Sequence, residues 1–141
     1  MIGLLVITHS RLAEEYLQAA EMIVGPFPKA EAISIDRSFP VDDARSVLSE
    51  VLGRVGDGGD GVLIMTDMFG GTPTNISADF LSAGEVEILT GVNLPMVLKF
   101  ISARQSQSLD ELTAMLKQYG QQSIIRPADL LNRSLEGKTA S

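Results

Sequence analysis

The chain has 141 residues, of which 45% are hydrophobic, enough for one domain around one core. A formal net charge of −7, no Trp and only two Tyr and five Phe argue against nucleic acid as a partner, since a basic footprint and stacking aromatics are both lacking. The absence of cysteine removes disulfides, thiolate metal ligands and a thiol nucleophile together, and it fits the cytoplasmic location expected for the chain.

The longest apolar runs fall well short of a bilayer span, so no direct membrane insertion is expected. Met1–Ile7 lacks a basic n-region and an Ala-x-Ala type site, so a secretory signal is not expected either. Residues 2–7 instead read as a strand buried on both faces of a parallel sheet, ending at Thr8-His9-Ser10. Leu12, Tyr16, Ala20 and Ile23 then recur at helical spacing, with Ser10 as N-cap, Glu14 and Glu15 in the first turn, and Gly25-Pro26 as the stop. Ala32 to Ile35 predicts a short second strand. The next helix turns Ala44, Val47, Leu48, Val51, Leu52 and Val55 inward, and Gly56–Asp60 forms a turn.

The third strand, Val62–Thr66, runs into Asp67-Met68-Phe69-Gly70-Gly71-Thr72-Pro73-Thr74-Asn75, followed by a helix with Ile76, Phe80 and Leu81 inward. Val86–Leu89 predicts a fourth strand, ending at Thr90-Gly91-Val92-Asn93. Pro95 suits the first turn of a helix reaching about Ala103. Ser108-Leu109-Asp110-Glu111 is a capping-box pattern opening a helix with Leu109, Leu112, Leu116 and Tyr119 inward, closed by Gly120. Ser123-Ile124-Ile125 reads as a last, edge strand, and a polar tail frays after Pro127. The alternation of strands and helices predicts an α/β fold with a mostly parallel sheet and one antiparallel edge strand, comprising residues 1–127, with 128–141 as the tail.

Two chemistry-bearing residues fall at carboxyl ends of strands, where open α/β sheets bind ligands: His9, the only histidine, and Asp67. If the first and third strands are neighbours at a topological switch point, the two side chains share a crevice. An aspartate accepting from Nδ1–H would fix the tautomer and leave Nε2 free. The Gly70-Gly71-Thr72 turn and the helix start beyond it could hold an anion on backbone N–H groups. Each residue also has a purely structural reading: a packing histidine, an Asx-turn or N-cap aspartate, a tight glycine turn, an N-cap threonine. Their convergence from separated parts of the chain is what favours a site. No Lys follows the glycines as in a Walker A loop, and no G-x-S-x-G elbow occurs. One histidine without cysteines cannot assemble a histidine metal cluster, so neither metal nor other cofactor is expected. What remains is a lone histidine beside an anion site, suited to a transient phosphoryl group.

Gly3–Ser10 (GLLVITHS), Met65–Asn75 (MTDMFGGTPTN) and Thr90–Met96 (TGVNLPM) resemble the three signature segments of the mannose-family enzyme IIA domain of the bacterial phosphoenolpyruvate-dependent sugar phosphotransferase system (PTS). The resemblance runs to about residue 120, in the right order and spacing. It implies three layers, with an open sheet between helices on both faces, and a homodimer. It implies that His9 takes phosphate on Nε2 from the phosphocarrier HPr and passes it to a IIB component, as a phosphotransferase in sugar uptake or as a phosphorylation-state regulator. Asp67 would then orient His9, and Gly70, Gly71, Thr72 and Ser10 would hold the phosphoryl group, with Asn93 on the rim. Thr72 stands where the family often has Ser. No fused IIB domain is expected after the IIA-like part.

Three rival readings make different demands. A receiver-like domain with Asp67 as phosphoacceptor calls for an acidic pair after the first strand, where this chain has Thr8-His9. A chelatase-like enzyme calls for further metal ligands. A non-catalytic, phosphate-responsive binding module needs only the glycine turn.

Overall fold

Burial on both faces explains the unbroken apolar character of β1 (Gly3–His9), an interior strand of a four-stranded, all-parallel sheet. In the computed structural model, which describes residues 1–132, β1 is followed by α1 (Leu12–Val24), β2 (Ala30–Ile35), α2 (Val41–Val55) and β3 (Val62–Thr66). Then come α3 (Gly71–Ala78), β4 (Val86–Leu89), α4 (Leu94–Ala103) and α5 (Leu109–Gln122), and residues 127–132 add a short helical segment. The strand order is β2-β1-β3-β4. Strand periodicity divides the core in two. Leu4, Val6, Leu63 and Met65 meet α1, α4 and α5, whereas Leu5, Ile7, Val62 and Ile64 meet α2 and α3. The result is the expected three-layer α/β architecture.

After β1 the chain adds β2 on one side and then crosses to place β3 on the other, pairing Ile7 with Thr66. The switch point therefore falls between the strand ends that carry His9 and Asp67.

The capping box closes as predicted, with Ser108 Oγ accepting from the Glu111 N–H and Glu111 reaching back to the Ser108 N–H. Ser10 does not cap α1. It takes a left-handed φ of 53° and gives its N–H to the Ile35 carbonyl, while buried Thr8 Oγ1 accepts from Ala13 N–H at 2.7 Å. The inward face of α1 is accordingly rotated: Ala13 and Ala20 sit on the sheet with Tyr16 and Leu17 beside them, and Leu12 and Ile23 are exposed. Leu81 is also exposed, because α3 stops at Ala78.

Gly120 lies inside α5 and does not end it. A Cβ there would come within 2.6 Å of Met96 Cγ and Sδ, so the glycine is used for close packing of α5 on α4. No fifth strand forms among the described residues. Ser123, the C-cap, returns its N–H to the Tyr119 carbonyl, and only residues 123–126 separate α5 from the helical segment at 127–132. Of the predicted tail, 128–132 continue that helical segment, and 133–141 lie outside the described residues.

At the end of the sheet opposite His9, the loop before β2 is held by a buried cation. Arg104 donates to the Pro28 and Lys29 carbonyls, and burial lowers its pKa from the ordinary arginine value. Nearby, a hydrogen bond and the charge of Lys29 hold the Asp57 carboxyl below the usual carboxylate range.

Candidate active site

β1 delivers His9 and the first residue beyond β3 is Asp67. Because the two strands are paired, the side chains meet: Nδ1 of His9 lies 2.8 Å from Oδ2 of Asp67. The His9 backbone N–H donates to the same oxygen at 3.0 Å. A carboxylate can only accept, so Nδ1 carries the hydrogen and Nε2 keeps its lone pair. The His9 side chain is 46% exposed and that of Asp67 14%. The aspartate neither caps α3, whose N-cap is Gly70, nor closes an Asx turn. Its other oxygen, Oδ1, is buried and has no partner among the described residues, so the whole hydrogen-bonding effort of the carboxylate goes to His9.

The glycine turn supplies the opposite wall. Gly71 has φ +79°, and a Cβ built on it would fall 2.8 Å from His9 Cε1 and 3.0 Å from Nε2. A side chain at this position would take up the space beside the free nitrogen. Gly70, at φ +95°, has nothing within 4 Å of its own Cβ position, so only the bend calls for glycine there. The N–H groups of Gly70, Gly71 and Thr72 find no acceptor among the described residues, and Pro73 in the first turn of α3 has no N–H to leave unpaired. Positive potential at the start of α3 therefore lies next to an exposed imidazole.

The remaining predicted residues take different places. Thr72 is partly buried at the start of α3. Ser10 is exposed, and with its N–H committed to Ile35 it retains only a hydroxyl for an anion. Asn93 caps α4 by accepting from Met96 N–H, and its Nδ2 donates to the Gly120 carbonyl, which ties α4 to α5. The loop before it is fixed by Val92, whose N–H reaches the Thr66 carbonyl and whose carbonyl accepts from Tyr16.

Two residues near the site escaped the sequence reading. Thr8 caps α1 directly behind His9, and Thr74 donates to the Met68 carbonyl at 2.6 Å. A hydroxyl at the end of an apolar strand run was a visible signal for Thr8; nothing in the pattern distinguished Thr74.

Topology and site together define a class of protein: an open, parallel α/β domain whose switch point holds an exposed histidine, paired with a carboxylate, beside a glycine turn at the start of a helix. The family model described as "PTS system fructose IIA component" matches residues 3–117, and the chain belongs to that family, the mannose/fructose/sorbose IIA components of the sugar phosphotransferase system. It is similar to the mannose-specific EIIAB component of Escherichia coli strain K12, at 29% identity over 127 residues, covering 87% of this chain and 38% of that protein. The chain thus spans well under half the length of that relative. It also resembles the sorbose-specific EIIA component of Lacticaseibacillus casei, at 28% identity over 115 residues, covering 80% of this chain and 81% of that one. Among solved structures, the PTS IIA protein associated with the fucose utilization operon of Streptococcus pneumoniae superposes with a TM-score of 0.81 at 26% identity, covering 92% of this chain and 95% of that one. Among the described residues no helix is long and apolar enough to cross a membrane.

Proposed function

We propose that the chain is a phosphoryl carrier: His9 Nε2 accepts a phosphoryl group from phospho-HPr and hands it to a IIB component during sugar uptake. The observation that carries this reading is the 2.8 Å pairing of Nδ1 with Asp67, which leaves Nε2 as the nucleophile beside Gly71. In the loading step the bond between phosphorus and the donor's histidine nitrogen breaks as the bond to Nε2 forms. Positive charge that develops on the His9 ring is met by the Asp67 carboxylate, and the N–H groups of Gly70–Thr72 face the phosphoryl oxygens. Unloading reverses the roles. The open site suits a protein donor better than a buried small substrate, since Met68 and Phe69, the latter 85% exposed, form an apolar tip beside the histidine.

The reading is tested by incubating the chain with phosphoenolpyruvate, enzyme I and HPr. An acid-labile, base-stable phosphate is expected on the wild type and none on His9→Ala. Label on His9→Ala would overturn it.

The working form we infer is a homodimer. β4 is an edge strand whose outer side beyond Val86 pairs with no strand among the described residues. An apolar groove of about 630 Å³ runs along it, lined by Leu81, Ile88, Leu89, Met96 and Ile124 among others. Ile124 and Ile125 are exposed beside this edge, and a second copy offers both an apolar cover and backbone partners. Sedimentation should give twice the 15.1 kDa chain mass, and replacing Ile124 and Ile125 together by Asp should give monomers at the same concentration. A wild-type monomer at tens of micromolar would refute the dimer.

A further inference from the structure

Between β3 and α3 two hydroxyl groups form a relay that the phosphoryl chemistry does not use. Thr66 is the last residue of β3 and is fully buried; Thr74 lies in α3 and is nearly so. Their Oγ1 atoms are 2.8 Å apart, and Thr74 Oγ1 lies 2.6 Å from the carbonyl oxygen of Met68, whereas Thr66 Oγ1 is 3.4 Å from it. A carbonyl only accepts, so the Thr74 hydrogen goes to Met68, and the short contact lets the Thr66 hydrogen go to Thr74. Both protons are then used, and each bond polarises the next.

Met68 sits between the two functional parts of the turn. One residue before it is Asp67, whose Oδ2 holds the His9 backbone and ring; three residues after it is Gly71, which walls Nε2. Met68 and Phe69 point their side chains into solvent and cannot anchor the turn by packing. At Met68 the relay is therefore what attaches the turn inward, connecting it to the end of β3 on one side and to α3 on the other.

We propose that Thr74 is a positioning residue for phosphoryl transfer: through the Met68 carbonyl it holds the Asp67–Gly71 turn in register with His9, with Thr66 as its support. The inference rests on His9 being the phosphoryl acceptor. Without the Thr74 hydroxyl, the Thr66 hydroxyl is free to turn to Met68 directly. The carbonyl is then drawn towards β3, and Asp67 and Gly71 shift relative to the ring. Displacements well under an ångström are enough to slow a transfer that depends on positioning.

The test compares Thr74→Val, which keeps the shape and removes the hydroxyl, with Thr74→Ser, which keeps the hydroxyl, and with Thr66→Val. Two readouts are taken on the whole chain: kcat and KM for phospho-HPr, and the Nδ1–H proton and ¹⁵N resonances of His9. Thr74→Val should lower kcat about tenfold with KM changed less than twofold, because the relay lies beneath the surface a donor touches. Its Nδ1–H resonance should shift and exchange faster with water. Thr74→Ser should restore both, and Thr66→Val should have the smaller effect. Wild-type kcat with an unmoved Nδ1–H signal in Thr74→Val would overturn the proposal, as would a Thr74→Ser variant as slow as Thr74→Val. Should the wild type take no phosphate at all, the carrier reading fails, and the resonance comparison still decides whether Thr74 positions the ring.

Discussion

Alanine in place of Gly71 is expected to cut phosphoryl loading of His9 by about a hundredfold or more while the domain stays folded. The added Cβ would lie 2.8 Å from Cε1 and 3.0 Å from Nε2, closer than carbon atoms tolerate. The obstructed atoms belong to the free end of a half-exposed side chain, so the ring can swing aside at little cost to the fold. Doing so breaks the 2.8 Å contact between Nδ1 and Asp67 and covers Nε2, the nitrogen proposed to take the phosphate. Stability should fall only by the cost of alanine at φ +79°, about 1–2 kcal/mol. Gly70→Ala separates the two effects. Its Cβ meets nothing within 4 Å, so it carries backbone strain of similar size without touching His9. Thermal melts should show both variants destabilised, and the HPr-dependent labelling rate should collapse only for Gly71→Ala. Equal labelling rates in the two would exclude a steric role for Gly71.

Asp67→Asn should slow loading by about 10²–10⁴-fold, because it disturbs both the charge and the tautomer of the pair. The two orientations of the new amide are both poor. With its oxygen in the Oδ2 position, the His9 bonds survive, but an NH₂ group is then placed in the buried site of Oδ1, where each donor left unpaired costs about 1–3 kcal/mol. With NH₂ in the Oδ2 position, it confronts the backbone N–H of His9 and can meet Nδ1 only if the ring moves its hydrogen to Nε2. The second arrangement removes the nucleophile. Either way the negative charge opposite the developing imidazolium is lost. Labelling kinetics together with ¹⁵N shifts of the His9 ring check this, and an unchanged rate would rule out an orienting role for Asp67.

The parts of the site legible in the sequence were those marked by abrupt changes of chemistry along the chain. His9 and Asp67 each follow an apolar run, and a parallel sheet buries such runs and opens at their ends; only the pairing of β1 with β3, which no periodicity encodes, was needed to join them. The glycine turn was equally visible, since two adjacent glycines before a proline leave few alternatives to a tight bend. The contact between Gly71 and the ring was not, because it depends on the rotation of the turn about Met68. Ser10 does not cap because Thr8, two residues earlier and buried in the strand, takes the open N–H of Ala13, and α1 begins one residue later, after Arg11, so that Ala13 rather than Leu12 faces the sheet and Ile23 is exposed. Glycine near a helix end usually marks a left-handed residue, but Gly120 instead leaves the room that Met96 occupies. Ile124 and Ile125 suggest a strand at Ser123–Ile125 by their β-branched, apolar character, yet both side chains are exposed and the chain passes there from α5 into the helical segment at 127–132.

Oδ2 of Asp67 binds the backbone and the ring of His9 at once, so the imidazole is aimed by its own chain before any donor arrives. This has a consequence for a carrier, which must be discharged as readily as it is charged. By microscopic reversibility, contacts that lower the barrier to loading lower it equally for the reverse step, and the same aimed ring is present when the phosphoryl group leaves to a different acceptor. An aim supplied by one partner would be lost when that partner left; an aim built into the chain serves donor and acceptor alike. On the proposed carrier role, the direction of flow is then set by the supply and phosphoryl-transfer potential of the two partners, and the domain would serve as a two-way relay between them.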